Sequence, residues 1–206
     1  MALDEALLEH AAEIGAPVLR FYGWTEPAAT FGYSQRYAEV AQWTSLRPLI
    51  RRITGGGLVP HDADWTYSLN VPPEAEWYRL RAEESYRRLH EWVAAAFAAV
   101  AVAAELSPCC AKELPGQCFA GAEKFDVLAE GRKIAGAAQK RNKLGLLIQG
   151  SVQPAKHNVT RADWEEAMLQ CASRDWKPLV VAKPVLEKAR HLELTKYSRA
   201  EYNQRR

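Results

Sequence analysis

Apolar residues recur at helical spacing through Leu3, Leu7, Leu8, Ala11 and Ile14, which predicts a helix over 3–14 that Gly15 stops. Val18–Tyr22 and residues 28–33 read as strands around a turn at Pro27, followed by a short helix over 38–46 and a strand over 49–53. Trp65–Val71 alternates as a strand does, and Pro72-Pro73 closes it. The longest predicted helix covers 83–100. It is amphipathic through Tyr86, Leu89, Trp92 and Val93, then nearly all apolar, which predicts deep burial. Strands are predicted over 125–129, 133–139 and 144–153, the first two joined by a Glu130-Gly131 turn. Thr160 is placed to cap a helix over Arg161–Ala172, and a last helix is predicted over 184–194. Clustered strands with few helices between them imply an α+β fold with a central mixed or antiparallel sheet flanked by helices.

A length of 206 residues fits one catalytic-sized domain, with about 155–206 as a helical extension of it. Hydrophobic content of 48% and charged content of 25% are ordinary for a globular chain. A net charge of +2, with Lys and Arg spread apart from Arg51-Arg52 and a predicted turn at Lys140-Arg141-Asn142-Lys143, argues against nucleic acid as a partner. The longest apolar run, 93–104, falls short of the roughly 20 residues that span a membrane. The acidic start Ala2-Leu3-Asp4-Glu5 is unlike a signal peptide, so the cytoplasm is the expected location. The spacing Cys109-Cys110…Cys118…Cys171 suggests neither a disulfide framework nor a metal site. Cys171 is expected in the core, and His10, His90, His157 and His191 on surfaces or helix faces.

Chemistry concentrates in Arg51-Arg52-Ile53-Thr54-Gly55-Gly56-Gly57-Leu58-Val59-Pro60-His61-Asp62. Glycines weaken a strand, so three in a row suggest close approach of a ligand or another backbone. Arginine offers a fixed fork of donors to carboxylate or phosphate. The run reads either as a loop holding an anionic ligand against bare main chain or as a glycine-rich hairpin with a solvated Arg pair. A second segment, Gly131-Arg132-Lys133-Ile134-Ala135-Gly136-Ala137-Ala138-Gln139, sets a lysine among small residues.

Together these two segments resemble the lipoate branch of the biotin/lipoate protein ligase superfamily. The resemblance extends to Met1-Ala2-Leu3-Asp4-Glu5-Ala6-Leu7-Leu8, Leu19 to Trp24, Phe31-Gly32-Tyr33-Ser34-Gln35 and Gln149-Gly150-Ser151. It implies an acyl-binding tunnel lined by Tyr33, Arg51, Arg52, Thr54, Gly55, Gly56, Gly57, His61, Gly136 and Ala137. It gives His61 chiefly a pocket-shaping role, and sets Lys133 at the acyl carbonyl, where a cation stabilises developing charge. A strand lysine exposed to solvent is the plainer alternative.

Cys118 lies 15 residues before Lys133 and is followed by Phe119. That arrangement resembles Gram-positive-type octanoyltransferases, which form a thioester on the cysteine; a lysine nearby would favour the thiolate. The alternative is a small buried hydrophobe.

Three departures from the pattern stand out. Gln149 replaces a histidine frequent in relatives, the family's first strand is missing so that a sheet edge is expected to be open, and little sequence follows Ser151. The resemblance thus implies octanoyl or lipoyl transfer to a lysine of a lipoyl domain, of glycine cleavage H protein or 2-oxoacid dehydrogenase E2 type. The expected donor is acyl carrier protein, and no cofactor is expected. The alternatives are an ATP- and Mg²⁺-dependent lipoate–protein ligase domain, with or without an accessory subunit, and a non-catalytic acyl- or lipoyl-domain-binding module.

Overall fold

The computed structural model describes residues 1–112, 116–153, 158–173 and 175–205; His157 lies outside them. The chain opens with helices α1 (Ala2–Glu9) and α2 (Ala11–Ile14), then strands β1 (Val18–Tyr22) and β2 (Ala28–Phe31). Helix α3 (Tyr37–Trp43) leads to β3 (Leu49–Arg51), β4 (Val59–His61) and β5 (Trp65–Val71). Helices α4 (Glu76–Arg79) and α5 (Ala82–Ala99) precede three short strands, β6 (Glu105–Leu106), β7 (Ala111–Lys112) and β8 (Gly121–Ala122). The hairpin partners β9 (Val127–Ala129), β10 (Arg132–Asn142) and β11 (Gly145–Val152) follow. Helices α6 (Arg161–Ala172) and α7 (Lys183–Leu192), a π-helical turn (Glu193–Tyr197) and α8 (Ala200–Asn203) complete the described elements.

Six strands form one sheet in the order β1-β5-β11-β10-β9-β6, every neighbouring pair antiparallel. Successive side chains of a strand point to opposite faces. Leu146 and Ile148 of β11 accordingly join the core beneath α5 and α6, while Leu147 joins the cluster beneath α1 and α7. Trp164 of α6 is fully buried among Phe21, Trp65, Tyr67 and Phe97, in contacts each worth about 0.5–1.5 kcal/mol beyond area burial. A smaller sheet, β3-β2-β4, pairs β2 parallel with β3 and antiparallel with β4. β1 ends the large sheet's order, so its outer edge carries no described strand.

The sequence pattern erred where backbone geometry intervened. The first helix breaks at His10, whose Nδ1 lies 2.9 Å from the Ala6 carbonyl. The strand expected from 125 starts at Val127, because Phe125 sits at φ +70°. Lys140, Arg141 and Asn142 continue β10 instead of forming a turn, and β4 was not anticipated. In α5 the apolar end is deeply buried on one face only: Val93, Ala96 and Phe97 are in the core, while Ala95, Ala98 and Ala99 face solvent. Cys171 is exposed, not core, whereas His90 is wholly buried.

Candidate functional site

A cavity of about 580 Å³ lies between the large sheet and the small one. That size suits a small-molecule ligand, for which pockets run to about 300–1,000 Å³. Cys118, Lys133, Arg52, Gly55, Gly56, Gly57, His61, Gly136 and Ala137 all line it. Arg51, Thr54 and Tyr33 do not. Adjacent residues leaving a strand point to opposite sides, so one arginine of the pair enters the cavity and the other turns away.

Arg51 is fully buried behind the wall. It donates to the carbonyls of Tyr33 at 2.8 Å, Gln35 at 2.7 Å and Asn203 at 3.0 Å, and covers the Phe31 ring at 4.6 Å. Its N–H also donates to Asn203 Oδ1 at 2.9 Å. Thr54 is likewise buried and donates to Gln149 Oε1 at 2.9 Å. Tyr33 stands at the surface with Arg205 over its ring.

Arg52 makes only neutral described contacts: Nη1 donates to Thr30 Oγ1 at 2.8 Å, and Nη2 to the carbonyls of Gly55 and Gly57 at 2.8 Å each. Burial lowers the guanidinium's proton affinity, and the neighbouring Cys118 sulfur opposes that effect.

The segment carrying Cys118 docks on the glycine loop by main-chain pairing. Leu58 N–H donates to Gly116 O at 2.8 Å, and Cys118 N–H donates to Leu58 O at 3.0 Å. Gln35 adds a side-chain bond to Gly116 O at 2.9 Å. Gly57 must be glycine here, since a Cβ on it would stand 2.4 Å from Gly116 O. The close approach lets Gly57 N–H donate to Cys118 Sγ at 3.0 Å.

Lys133 rises from β10 next to a register shift in the β9–β10 ladder. Its Nζ donates to Cys118 O at 2.5 Å, pairs with Asp126 Oδ2 at 2.7 Å and lies 5.0 Å over the Phe119 ring. Asp126, completely buried, also accepts from Tyr86 Oη at 2.5 Å and from Glu123 N–H at 2.6 Å. Burial and the Asp126 charge hold the Tyr86 phenol well above its ordinary range, so it stays a donor. Gly136 makes room for the pair: a Cβ there would come within 2.7 Å of Lys133 Cε and 3.0 Å of Asp126 Oδ1. Behind Tyr86, His90 packs edge-on at 4.2 Å. Burial, with Lys133 adding and Asp126 opposing, pushes its imidazole down to about 4.

His61 pairs with Asp64 at 2.8 Å and not with Asp62, which is exposed. Thr30 accepts from Arg52, so its own proton goes to His61 Nε2 at 2.8 Å, and Nδ1–H faces Asp64. Burial lowers the imidazole's proton affinity despite Asp64, and Trp24 stacks on the ring at 4.2 Å. The neutral ring is a spacer in the wall.

Gln149 Nε2 donates to Asp4 Oδ2 at 2.8 Å, tying the glycine loop through Thr54 to α1. Burial works against ionisation of Asp4, but the amino-terminal charge, then the Arg20 charge and bonds from Ser68 and Gln149, bring its carboxyl below the usual range.

Asp126, Tyr86, Thr30 and Asp64 were not singled out in the sequence. Only Asp126 left a signal there, as a carboxylate inside the apolar run 125–129 that the sequence predicted to be a strand.

The site thus joins a thiol held by a main-chain N–H, two cations and a small-residue wall, a set suited to acyl transfer. The likenesses to known proteins point the same way. Octanoyltransferase LipM of Halalkalibacterium halodurans is 33% identical over 165 residues, covering 74% of this chain and 60% of that one. LipM of Bacillus subtilis is 34% identical, with 74% and 59% covered. The chain therefore spans about three-fifths of the length of these relatives. In fold it is similar to a lipoate-protein ligase A bound with ATP (TM-score 0.79, 22% identity, 98% and 92% covered). It also resembles a bipartite lipoate protein ligase from Thermoplasma acidophilum, studied with its E2 lipoyl domain (TM-score 0.73, 19% identity, 98% and 91% covered). Residues 1–154 match the model of the lipoyl protein ligase A/B catalytic domain, and the chain belongs to that family.

Proposed function

We propose that this chain carries the acyl-transfer site of an octanoyltransferase of protein lipoylation. The observation that carries the reading is Cys118 Sγ inside the cavity, held by Gly57 N–H, with Lys133 Nζ on the same residue's carbonyl. Likeness to two LipM proteins at 33% and 34% identity supports it. Cys118 thiolate attacks the thioester carbonyl of octanoyl-acyl carrier protein; a new C–S bond forms, the donor's C–S bond breaks, and the donor sulfur leaves and takes up a proton. The neutral amine of a lipoyl-domain lysine then attacks the Cys118 thioester; the C–N bond forms, the C–S bond breaks, Cys118 leaves as the thiolate and the proton lost from nitrogen goes to water. Lys133 stabilises the oxyanion in both steps, while Gly56, Gly136 and Ala137 flank the acyl chain. Transfer along this route needs no cofactor.

The family also contains ligases, which make an acyl-adenylate from ATP with Mg²⁺, and requirement for ATP separates the two. The test is the intact mass of the protein after incubation with octanoyl-acyl carrier protein, with and without ATP. A gain of one octanoyl group without ATP, removable by hydroxylamine and absent in Cys118→Ala, is expected. A Cys118→Ala protein that still modifies a lipoyl domain at the normal rate, or activity only with ATP, would overturn the reading in favour of a ligase.

A further inference from the structure

We infer that Arg52, not Lys133, is the residue whose charge and hydrogen bonds hold Cys118 ready as a thiolate. The inference rests on Cys118 being the nucleophile proposed above, and it concerns how that sulfur is prepared.

The two cations near the sulfur are bound differently. Lys133 is compensated: its ammonium lies 2.7 Å from the fully buried Asp126 carboxylate, so its field at the sulfur is weakened although it can still donate a hydrogen bond to an oxyanion. Arg52, also buried, meets only Thr30 Oγ1 and two peptide carbonyls among its described partners. A buried cation without a counter-charge is costly, and a sulfur anion in the same pocket relieves that cost. The positions agree. A Cβ built on Gly56 would lie 3.3 Å from Arg52 Nη2 and 3.6 Å from Cys118 Sγ, so both groups face one small volume beside that glycine.

A second effect runs through the main chain. Arg52 Nη2 holds the carbonyls of Gly55 and Gly57, one peptide on each side of the Gly56–Gly57 peptide. The N–H of that middle peptide is the one donated to Sγ at 3.0 Å. One guanidinium nitrogen therefore clamps the two peptides that flank the sulfur's donor, which makes Arg52 a positioning residue as well as a counter-charge.

Other ionisable groups lining the cavity are engaged differently. The Met1 amino group has its proton affinity lowered by burial and answers to the Asp4 charge. His61 is kept neutral by burial, Tyr22 and Tyr86 are phenols held above their ordinary range, and Glu123 accepts from the Cys110 thiol at 3.0 Å.

The test uses protein in which Cys109, Cys110 and Cys171 are serine, so that iodoacetamide reports Cys118 alone. Only the thiolate reacts, and the proton leaves to water, so rate against pH follows ionisation. Arg52→Gln should slow alkylation at neutral pH by about tenfold or more, yet come within about twofold of the parent near pH 10, above the ordinary thiol value of about 8.5. Equal slowing at both pH values, or no slowing at neutral pH, would overturn the inference. The double variant Lys133→Met/Asp126→Asn removes the compensated pair and should change the neutral rate by less than about threefold. If it loses tenfold instead, Lys133 prepares the sulfur and the inference fails. If circular dichroism shows that Arg52→Gln does not fold, Arg52→Lys, which keeps the charge but not the two-carbonyl clamp, takes its place, and the double variant still overturns the inference if it loses tenfold.

The acyl-transfer reading is tested separately by the octanoyl adduct. No adduct with the expected alkylation profiles defeats the nucleophile reading alone; an adduct with an Arg52→Gln profile like the parent's defeats this inference alone.

Discussion

The two walls of the cavity are built by different means. On the large-sheet side, Lys133, Asp126, Tyr86 and His90 interlock through side chains projecting from β10, α5 and the approach to β9. On the small-sheet side, the glycine loop and the Cys118 segment hold each other through peptide groups, with Arg52 clamping carbonyls. Side chains can relax when a partner shrinks, whereas two backbones at contact distance have nowhere to go. The first wall should therefore lose function in steps, and the second should fail as a unit.

The largest effect is expected at the centre of the side-chain wall. Lys133→Ala should cut octanoyl transfer by about 10²–10³-fold, the usual loss on removing an oxyanion donor, with the fold retained. A variant transferring at the parental rate would remove Lys133 from the chemistry.

Acid should weaken the same wall next. The His90 imidazole is down at about 4 in the folded protein, against 6.5 as the ordinary value. A lowered folded value means that stability is complete above the ordinary value and is lost as pH falls from there through about 4. The loss should approach roughly 3 kcal/mol. Melting temperatures measured from pH 7 downward should show it, and His90→Leu should flatten this part of the profile. An unchanged slope in His90→Leu would show that the burial cost of His90 is small.

Gly57→Ala probes the backbone wall. Its Cβ would meet Gly116 O at 2.4 Å, so stability should fall by about 1–3 kcal/mol and the sulfur should lose its N–H donor. Thermal unfolding and octanoylation should decline together. A stable variant lacking only activity would separate what the geometry joins.

Tyr86→Phe is the mildest change, removing one hydrogen bond to a carboxylate that keeps two other partners. About 1.5 kcal/mol of stability and a modest loss of rate are expected, read from melting and steady-state kinetics. A collapse of activity comparable with Lys133→Ala would mean that the wall is not graded.

What the sequence could disclose follows the same division. The glycine run and Lys133 were legible because local composition marked them, and Cys118 only through the resemblance to a family that carries a cysteine at that offset. The long strands and α5 were legible through periodicity, although the fully buried β5 and β11 gave weaker alternation than a half-exposed strand would. The partners were not legible. Tyr86 reaches Asp126 across 40 residues, and a tyrosine on the core face of a helix looks like packing. Asp64 lay two residues past the histidine-aspartate pair that drew attention, and the turn after β4 brings it, not Asp62, to His61. The opposite fates of Arg51 and Arg52 could have been foreseen, since neighbouring residues on an extended segment cannot both face one cavity.

Arg51 also ties the start of the glycine loop to the far end of the described chain. Its N–H and one guanidinium nitrogen are both met by Asn203, 152 residues further along. Closing so long a stretch of chain costs more entropy than a local contact does, so this brace is held only while the whole fold is intact. The wall that carries the sulfur's donor therefore depends on α8, an element that touches neither the sulfur nor the cavity. Damage at that remote helix would reach the glycine loop through Arg51.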